Sequence, residues 1–287
     1  MAEIKTIGIV GSGTMGSGIA QVAAQSGFDV IMSDVKEEFT ARGLAGIDRF
    51  LAKSIERGKL APEQKSEIMG RIKTTTNIEE MASAQFVIEA AIEDLELKKG
   101  IFAKLDAVCG PETILTSNTS SMSITVIGQA TGRPDKIAGM HFFNPAPLMR
   151  LVEVIRGFST SDDTIAAGME LSRKLGKEPV EVKIDSPGFI VNRLMMPHLL
   201  EAVEMVQEGI ASPADIDKAV KLGLNYPMGP FELMDLTGID IAGFVADYLH
   251  KELNKELKWV QPVLLKNIIR AGNLGKKTGK GWYDHKK

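Results

Sequence analysis

A glycine-rich segment near the start of the chain has the residue types and spacing of a nucleotide site. It reads Gly11-Ser12-Gly13-Thr14-Met15-Gly16 and lies between a β-branched apolar run and an amphipathic stretch. In such a segment Gly11 permits a tight turn, Gly13 lets the backbone approach a pyrophosphate, and Gly16 allows close packing of helix on strand. The segment therefore predicts a dinucleotide-binding loop whose helix amides face the phosphates. A bare strand-to-helix turn is the alternative.

Asp34 is the residue that would choose between the two nicotinamide dinucleotides. It follows the second β-branched run, 18 residues after Gly16. A carboxylate at this place accepts hydrogen bonds from the adenosine ribose hydroxyls and repels a 2′-phosphate. We therefore expect NAD as the cofactor, although the nearby Lys36 leaves room for some use of NADP. The alternative is a solvated aspartate in a turn.

Three further polar segments are candidates for the chemistry of a substrate. They are residues 117–121 (Ser-Asn-Thr-Ser-Ser), residues 141–145 (His-Phe-Phe-Asn-Pro) and residues 186–193 (Ser-Pro-Gly-Phe-Ile-Val-Asn-Arg). Each comes where a predicted strand or the predicted sheet ends, which is where open α/β sheets bind ligands. A histidine exchanges protons near neutral pH, but a lone histidine is more often structural. Runs of serine and threonine commonly form turns and caps.

The hydrophobic pattern predicts the elements that position these segments. Short β-branched runs alternate with amphipathic stretches in the first part of the chain, which is typical of a parallel sheet flanked by helices. The stretch Met15 to Ser26 has helical periodicity and precedes Gly27, a common helix terminator. The predicted strands are Ile4 to Val10, Asp29 to Met32, Phe86 to Ala90, Ile114 to Thr116, Ile137 to Met140, Leu151 to Ile155 and Val180 to Ile184.

The pattern changes after Ile184, where Asp185-Ser186-Pro187-Gly188 forms a turn signal and no convincing β-branched run follows. We place a domain boundary there. The prediction is an α/β, Rossmann-type sheet domain at residues 1–184 that binds NAD, and an all-helical C-terminal domain at residues 185–287. The helices predicted for the second domain are Ile190 to Gln207, Pro213 to Gly223, Phe231 to Leu236, Ile239 to Leu253 and Trp259 to Ala271.

Composition excludes several classes of function. The 34 basic and 37 acidic residues give a net charge of -3, which provides no general attraction to nucleic acid or to an anionic membrane. Cys109 is the only cysteine, so we expect a small apolar filler, no intrachain disulfide and no metal site. No apolar run approaches the ~18 residues of a membrane span, and the first residues lack the layout of a signal peptide. We expect a cytoplasmic protein.

Taken together, the motifs resemble those of the 3-hydroxyacyl-CoA dehydrogenase family, above all its short bacterial members, over nearly the whole chain. This resemblance implies an NAD-dependent oxidoreductase of fatty acid and butanoate metabolism. It would interconvert (S)-3-hydroxyacyl-CoA and 3-oxoacyl-CoA, with a short chain such as 3-hydroxybutyryl expected. The motifs that carry the resemblance are Gly11 to Gly18, Ser117 to Ser121, His141 to Pro147, Leu151 to Ile155, Pro187 to Arg193, Tyr226 to Leu233 and Gly279 to Tyr283.

The resemblance also implies catalytic roles. His141 would be the general base that takes the proton of the 3-hydroxyl, and Glu153 would orient its ring and stabilise the imidazolium form. Ser120 and Asn192 would bind the oxygen on C3 of the substrate. From the strand pattern alone, Glu153 could equally well point to solvent.

Further residues are expected at the cofactor and at coenzyme A. Glu93 and Lys98 match family positions near the nicotinamide ribose, with pairing to neighbouring charges on a helix as an equal alternative. Lys53 and Arg57, with Lys59, form a compact cationic group that could hold the phosphates of coenzyme A, or a solvated helix face. The expected cofactor-binding set is Gly11, Gly13, Thr14, Met15, Gly16, Asp34, Glu93, Lys98, Asn118 and Asn144.

Two other functions remain open on the sequence alone. The chain could be a dehydrogenase of a free hydroxy acid or sugar acid, with Arg193 facing the substrate carboxylate. It could also be a non-catalytic relative that kept the fold. The apolar surfaces of the second domain predict a homodimer, with a monomer that has a larger core as the alternative.

Overall fold

A computed structural model describes residues 3–254 and 256–285. The chain divides into two compact units, Met1–Asp185 and Ser186–Lys287. The first is a mixed sheet with helices and the second is helical, which confirms the predicted fold class. No helix in the described part of the chain is long and apolar enough to cross a membrane.

One eight-stranded sheet forms the centre of the first unit. Its order is β3-β2-β1-β4-β5-β6-β7-β8, so the direction in which strands are added reverses between β1 and β4. Ligands bind at the carboxyl ends of strands beside such a reversal. The strands are β1 Thr6–Val10, β2 Asp29–Ser33, β3 Ile72–Thr75, β4 Phe86–Glu89, β5 Ile114–Ser117, β6 Ile137–Phe142, β7 Leu151–Arg156 and β8 Glu178–Val182.

The sheet corrects the sequence prediction in three places. β3 was not predicted, because only its first residue, Ile72, is a buried apolar residue. The last strand covers residues 178–182 instead of 180–184, and Ile184 is 76% exposed. The sheet is also not wholly parallel, since β7 runs antiparallel to β6. Only residues 143–150 connect these two strands, which is too short for the crossover that a parallel pair needs.

Helices cover the sheet and bury their apolar faces against it. In α1, Ile19, Ala20 and Ala23 are fully buried in the main core of this unit. The lone cysteine, Cys109, is buried as expected, and burial raises its pKa to about 11. The helices are α1 Thr14–Gln25, α2 Glu37–Glu56, α3 Pro62–Gly70, α4 Leu95–Val108, α5 Ile124–Gly128 and α6 Asp162–Lys174.

The second unit has its own core, in which Phe231, Trp259 and Leu265 are almost fully buried. One predicted helix, Trp259 to Ala271, is wrong as a single element. Pro262 lacks an N–H and disfavours helical backbone in the residue before it, so a short 3-10 turn ends at Trp259 and α11 begins at Val263. The helices are α7 Val191–Gln207, α8 Pro213–Gly223, α9 Pro230–Thr237, α10 Ile239–Glu252 and α11 Val263–Arg270.

Candidate active site

The glycine-rich loop connects β1 to α1, as its spacing predicts. Gly11 has φ of +99°, and a Cβ there would lie 2.6 Å from the carbonyl oxygen of Ala90. A Cβ on Gly16 would lie 1.8 Å from the carbonyl oxygen of Gly11, so only glycine fits at either position. Gly13 has open space around it and offers no side-chain cap to α1. The first amides of α1 are therefore available to an anion, which favours a bound pyrophosphate.

A pocket of about 470 Å³ lies against this loop. Its lining includes Gly13, Thr14 and Asn144, three of the expected cofactor residues. The cations in the lining are Arg42 and Arg49 of α2, which the sequence analysis missed although their spacing of seven residues puts them on one helix face. Lys53, Arg57 and Lys59 are exposed and are not part of this lining. Met15 is half-buried and packs against the core.

Asp34 lies at the carboxyl end of β2 and holds the loop in place. Its Oδ2 accepts hydrogen bonds from the backbone N and the Oγ of Ser12, both at 2.7 Å. Its Oδ1 accepts one from the backbone N of Val35 at 2.8 Å. Asp34 is therefore not merely a solvated turn residue. Because each carboxylate oxygen has two lone pairs, Oδ1 can still accept a ribose hydroxyl.

His141 and Glu153 form a buried pair. The antiparallel register of β6 and β7 places them directly opposite each other, and Nδ1 of His141 lies 2.7 Å from Oε2 of Glu153. The two residues are 6% and 0% exposed, so the solvent-facing alternative for Glu153 is wrong. A carboxylate only accepts hydrogen bonds, so Nδ1 carries the proton and Nε2 is the atom that can take up another. The ring of Phe143 packs beside the imidazole at 4.4 Å.

The segment 117–121 is held by charged side chains at the ends of β4 and β5. Oε1 of Glu93 accepts from the backbone N and the Oγ of Ser120, at 2.7 and 3.0 Å. Oε2 of Glu93 lies 3.3 Å from Nζ of Lys98. Oδ1 of Asn118 accepts a hydrogen bond from the backbone N of Phe142, which links this segment to the residue after His141. Glu93 and Lys98 are five residues apart, so their contact is not the i,i+3 or i,i+4 helical pairing considered as the alternative.

Glu89 belongs to the same cluster and was missed. It is the last residue of β4, is fully buried, and lies 2.7 Å from Nζ of Lys98. In the sequence, a single glutamate after an apolar run is typical of the end of a strand and does not by itself indicate a functional residue. The signal that could have found it is that Lys98 and Ser117, its partners, belong to segments already singled out.

Asn192 lies in the first turn of α7 in the second unit and is half-buried. It follows Gly188 and Phe189, which both have positive φ. The guanidinium of Arg193 donates to Oγ of Ser186, within the same polar segment. Among the described residues, no group of three or more His, Cys, Asp and Glu side chains could hold a metal ion.

Comparisons with known proteins agree over both units. The model of the 3-hydroxyacyl-CoA dehydrogenase NAD binding domain matches residues 6–185, and that of the C-terminal domain matches residues 188–285. A probable 3-hydroxybutyryl-CoA dehydrogenase of Deinococcus radiodurans is 47% identical over 97% of this chain and 99% of its own length. The 3-hydroxybutyryl-CoA dehydrogenase of Clostridioides difficile is 44% identical over 98% and 99%. The crystal structure of (S)-3-hydroxybutyryl-CoA dehydrogenase from Ralstonia eutropha superposes with a TM-score of 0.96, at 44% identity, over 99% and 100% of the two chains.

Proposed function

Since the chain belongs to the 3-hydroxyacyl-CoA dehydrogenase family, we propose that it interconverts (S)-3-hydroxybutyryl-CoA and acetoacetyl-CoA with NAD. The chain has the NAD-binding domain of the family. The acyl group is taken from the relatives named above, which resemble this chain over nearly their full length. The observation that carries the proposal is the buried pair of His141 and Glu153.

In oxidation, Nε2 of His141 takes the proton of the 3-hydroxyl group as the C3–O bond becomes a carbonyl. NAD, when bound, accepts the hydride that leaves C3. Glu153 stabilises the resulting imidazolium through its bond to Nδ1 and keeps the ring in one orientation. In reduction, His141 returns the proton to the oxygen. Ser120 and Asn192 are proposed to bind that oxygen, where donors favour the negative charge that develops.

The cofactor is proposed to lie along the carboxyl ends of β1, β2 and β4. The open amides at the start of α1 suit its pyrophosphate, and the remaining acceptor capacity of Asp34 suits the adenosine ribose. Gly11, Gly13 and Gly16 allow this approach, and Thr14 and Met15 follow in the same turn. Glu93, Lys98, Asn118 and Asn144 are proposed at the nicotinamide half, from their match to the family.

Coenzyme A is proposed to bind through its phosphates to Lys53 and Arg57. Both side chains are exposed, and within the described part of the chain neither forms an ion pair with a carboxylate. The charge reversals Lys53→Glu and Arg57→Glu should raise the KM for acetoacetyl-CoA and leave that for NADH unchanged. An unchanged KM for the thioester would place its phosphates elsewhere.

A homodimer formed through the second unit is also proposed. Leu236 of α9 and Ile241 and Phe244 of α10 are each about half exposed, and we propose that a partner subunit covers them. Sedimentation of the parent and of Phe244→Glu would test this. A parent that sediments as a monomer at all concentrations would contradict it.

The catalytic proposal is tested by following NADH oxidation with acetoacetyl-CoA, and with free acetoacetate as the matched control. Turnover of the thioester alone supports the proposal, because free acid lacks the coenzyme A contacts. Preference for the free acid would favour a hydroxy acid dehydrogenase. No turnover of either compound by the folded protein would favour a non-catalytic relative.

A further inference from the structure

Three charged side chains form a continuous cluster at the carboxyl ends of β4 and β5. Glu89 is 0% exposed, the side chain of Lys98 is 1% exposed, and that of Glu93 is 34% exposed. The cluster therefore runs from the interior of the first unit to its surface. Charges buried this deeply are costly unless each has a partner, so the two inner residues depend on each other.

The contacts of Glu89 all lead to segments of the candidate site. Its Oε1 accepts from Nζ of Lys98 and from the backbone N of Ala91, both at 2.7 Å. Its Oε2 accepts from Oγ of Ser117 at 2.6 Å, and that hydroxyl in turn accepts from the backbone N of Thr119. One buried carboxylate thus fixes the backbone after β4, the end of β5 and a lysine of α4.

Lys98 contacts both Glu89 and Glu93 and so connects them. Its Nζ donates to Glu89 at 2.7 Å and to the carbonyl oxygen of Ala91 at 3.4 Å, and it forms an ion pair with Oε2 of Glu93 at 3.3 Å. The other oxygen of Glu93 accepts from Ser120 and from Oγ of Thr119. Without the charge of Glu89, the ammonium of Lys98 would be drawn to Glu93 and would compete with Ser120 for it.

We infer that Glu89 is a positioning residue for the dehydrogenase reaction, one that acts through Lys98 and Glu93 on Ser120 and on the nicotinamide half of the cofactor site. The inference rests on the function proposed above. Glu89 itself touches neither the substrate nor the cofactor. Its carboxylate balances the charge of Lys98, so that Glu93 keeps Ser120 in one place.

The test compares the parent with Glu89→Gln, Lys98→Met and the double variant E89Q/K98M. ADP fills only the adenosine and pyrophosphate part of the site, whereas NADH also fills the nicotinamide half. We expect each variant to bind ADP within twofold of the parent, to bind NADH about 10- to 100-fold more weakly, and to lose kcat with acetoacetyl-CoA. The double variant should lose no more than either single variant, because both residues act through one ion pair.

Glu181→Gln is the matched control. It makes the same substitution in the same unit, at a carboxylate that pairs with Arg156 on the neighbouring strand, and it should behave as the parent. If Glu89→Gln does not fold, the double variant, which leaves no unpaired charge in the interior, takes its place. Equal losses of ADP and NADH affinity, or NADH affinity within twofold of the parent, would overturn the positioning role. A parent without dehydrogenase activity would refute the proposed function instead, and the two affinities would still test the positioning role.

Discussion

At the scale of single residues, the account depends most on the pair of His141 and Glu153. Replacing His141 with Gln removes the group proposed to exchange the proton but roughly keeps the size of the side chain. We expect turnover to fall by about two to four orders of magnitude, with NADH affinity nearly unchanged. Glu153→Gln should cause a smaller loss of turnover and a different pH–rate profile, because the carboxylate is proposed to act through His141. Turnover of the His141 variant within a few-fold of the parent would assign the base elsewhere.

Asp34 gives a second prediction at this scale. Asp34→Ala removes the expected partner of the ribose and the repulsion of a 2′-phosphate, and it also releases Ser12 in the glycine-rich loop. We expect weaker use of NAD and a smaller preference for NAD over NADP. Ser12→Ala, which removes one of the two bonds from the loop to Asp34, is the control for loosening of the loop. A ratio of kcat/KM for the two cofactors that stays the same in Asp34→Ala would remove the role in selectivity.

The sequence predicted these residues unevenly, and the reason lies in distance along the chain. Asp34 and the glycines belong to one local motif with a fixed spacing. His141 and Glu153 are 12 residues apart, and only the register between their strands brings them together. Glu89 escaped attention because its partners, Lys98 and Ser117, come from a helix and a strand that the pattern does not join.

At the scale of elements, the segment between β6 and β7 is held by a buried lysine. Nζ of Lys177 donates to the carbonyl oxygens of Ala146 and Met149, at 2.6 and 2.9 Å. Burial lowers the pKa of Lys177 from its ordinary value of 10.5. At pH values between the lowered pKa and 10.5, Lys177 is protonated in the unfolded chain and neutral in the folded chain. Its contribution to the free energy of unfolding therefore rises with pH. The neutral amine keeps two N–H donors for the two carbonyls.

Lys177→Met should therefore destabilise the protein, because it leaves two carbonyl groups without their donor. We expect a loss of about 1–3 kcal/mol in the free energy of unfolding at pH 7. The loss should be larger at pH 9.5, where the parent has gained stability and the variant has not. Urea denaturation at both values measures it, with Lys174→Met, which removes a surface pair with Glu170, as the control. A loss that shrinks at pH 9.5 would contradict the linkage.

The elements themselves were predictable where the pattern is strong and local. β1 and α1 follow from an apolar run, three glycines and a helical period. The direction of β7 was not predicted, because the apolar pattern of a strand is the same in both directions. What sets that direction is the short connection of residues 143–150, which has no room for a helix.

At the scale of the whole molecule, two buried aspartates hold the last described segment onto the second unit. Asp235 accepts from the backbone N of Trp282 and of Tyr283, and Asp217 accepts from the hydroxyl of Tyr283 at 2.6 Å. Tyr283→Phe should lower the free energy of unfolding by roughly 1–2 kcal/mol, because Asp217 loses a charge-assisted bond. Tyr226→Phe removes the hydroxyl of a half-exposed residue and should change the free energy of unfolding by less than ~0.5 kcal/mol. Equal effects of the two variants in urea denaturation would contradict the role of Asp217.

The function proposed for the whole chain is supported by more than any single contact. The glycine-rich loop alone would indicate a dinucleotide, and the histidine pair alone would indicate acid–base chemistry. Their occurrence together, with family matches over residues 6–185 and 188–285, supports one reaction at one carbon atom. The identity of the acyl group is inferred from the relatives, because a sequence pattern does not show the shape of a substrate pocket.

Transfer of deuterium from NADH tests the central claim most directly. The parent protein is given acetoacetyl-CoA and NADH that carries deuterium on C4 of the nicotinamide, on each face in turn, and the product is analysed by mass spectrometry. The account predicts (S)-3-hydroxybutyryl-CoA with one deuterium on C3 from one of the two labelled cofactors, and about 100-fold less product or lower still with His141→Gln in the same time. Reduction without label on C3 from either cofactor, or equal product from the variant, would contradict it.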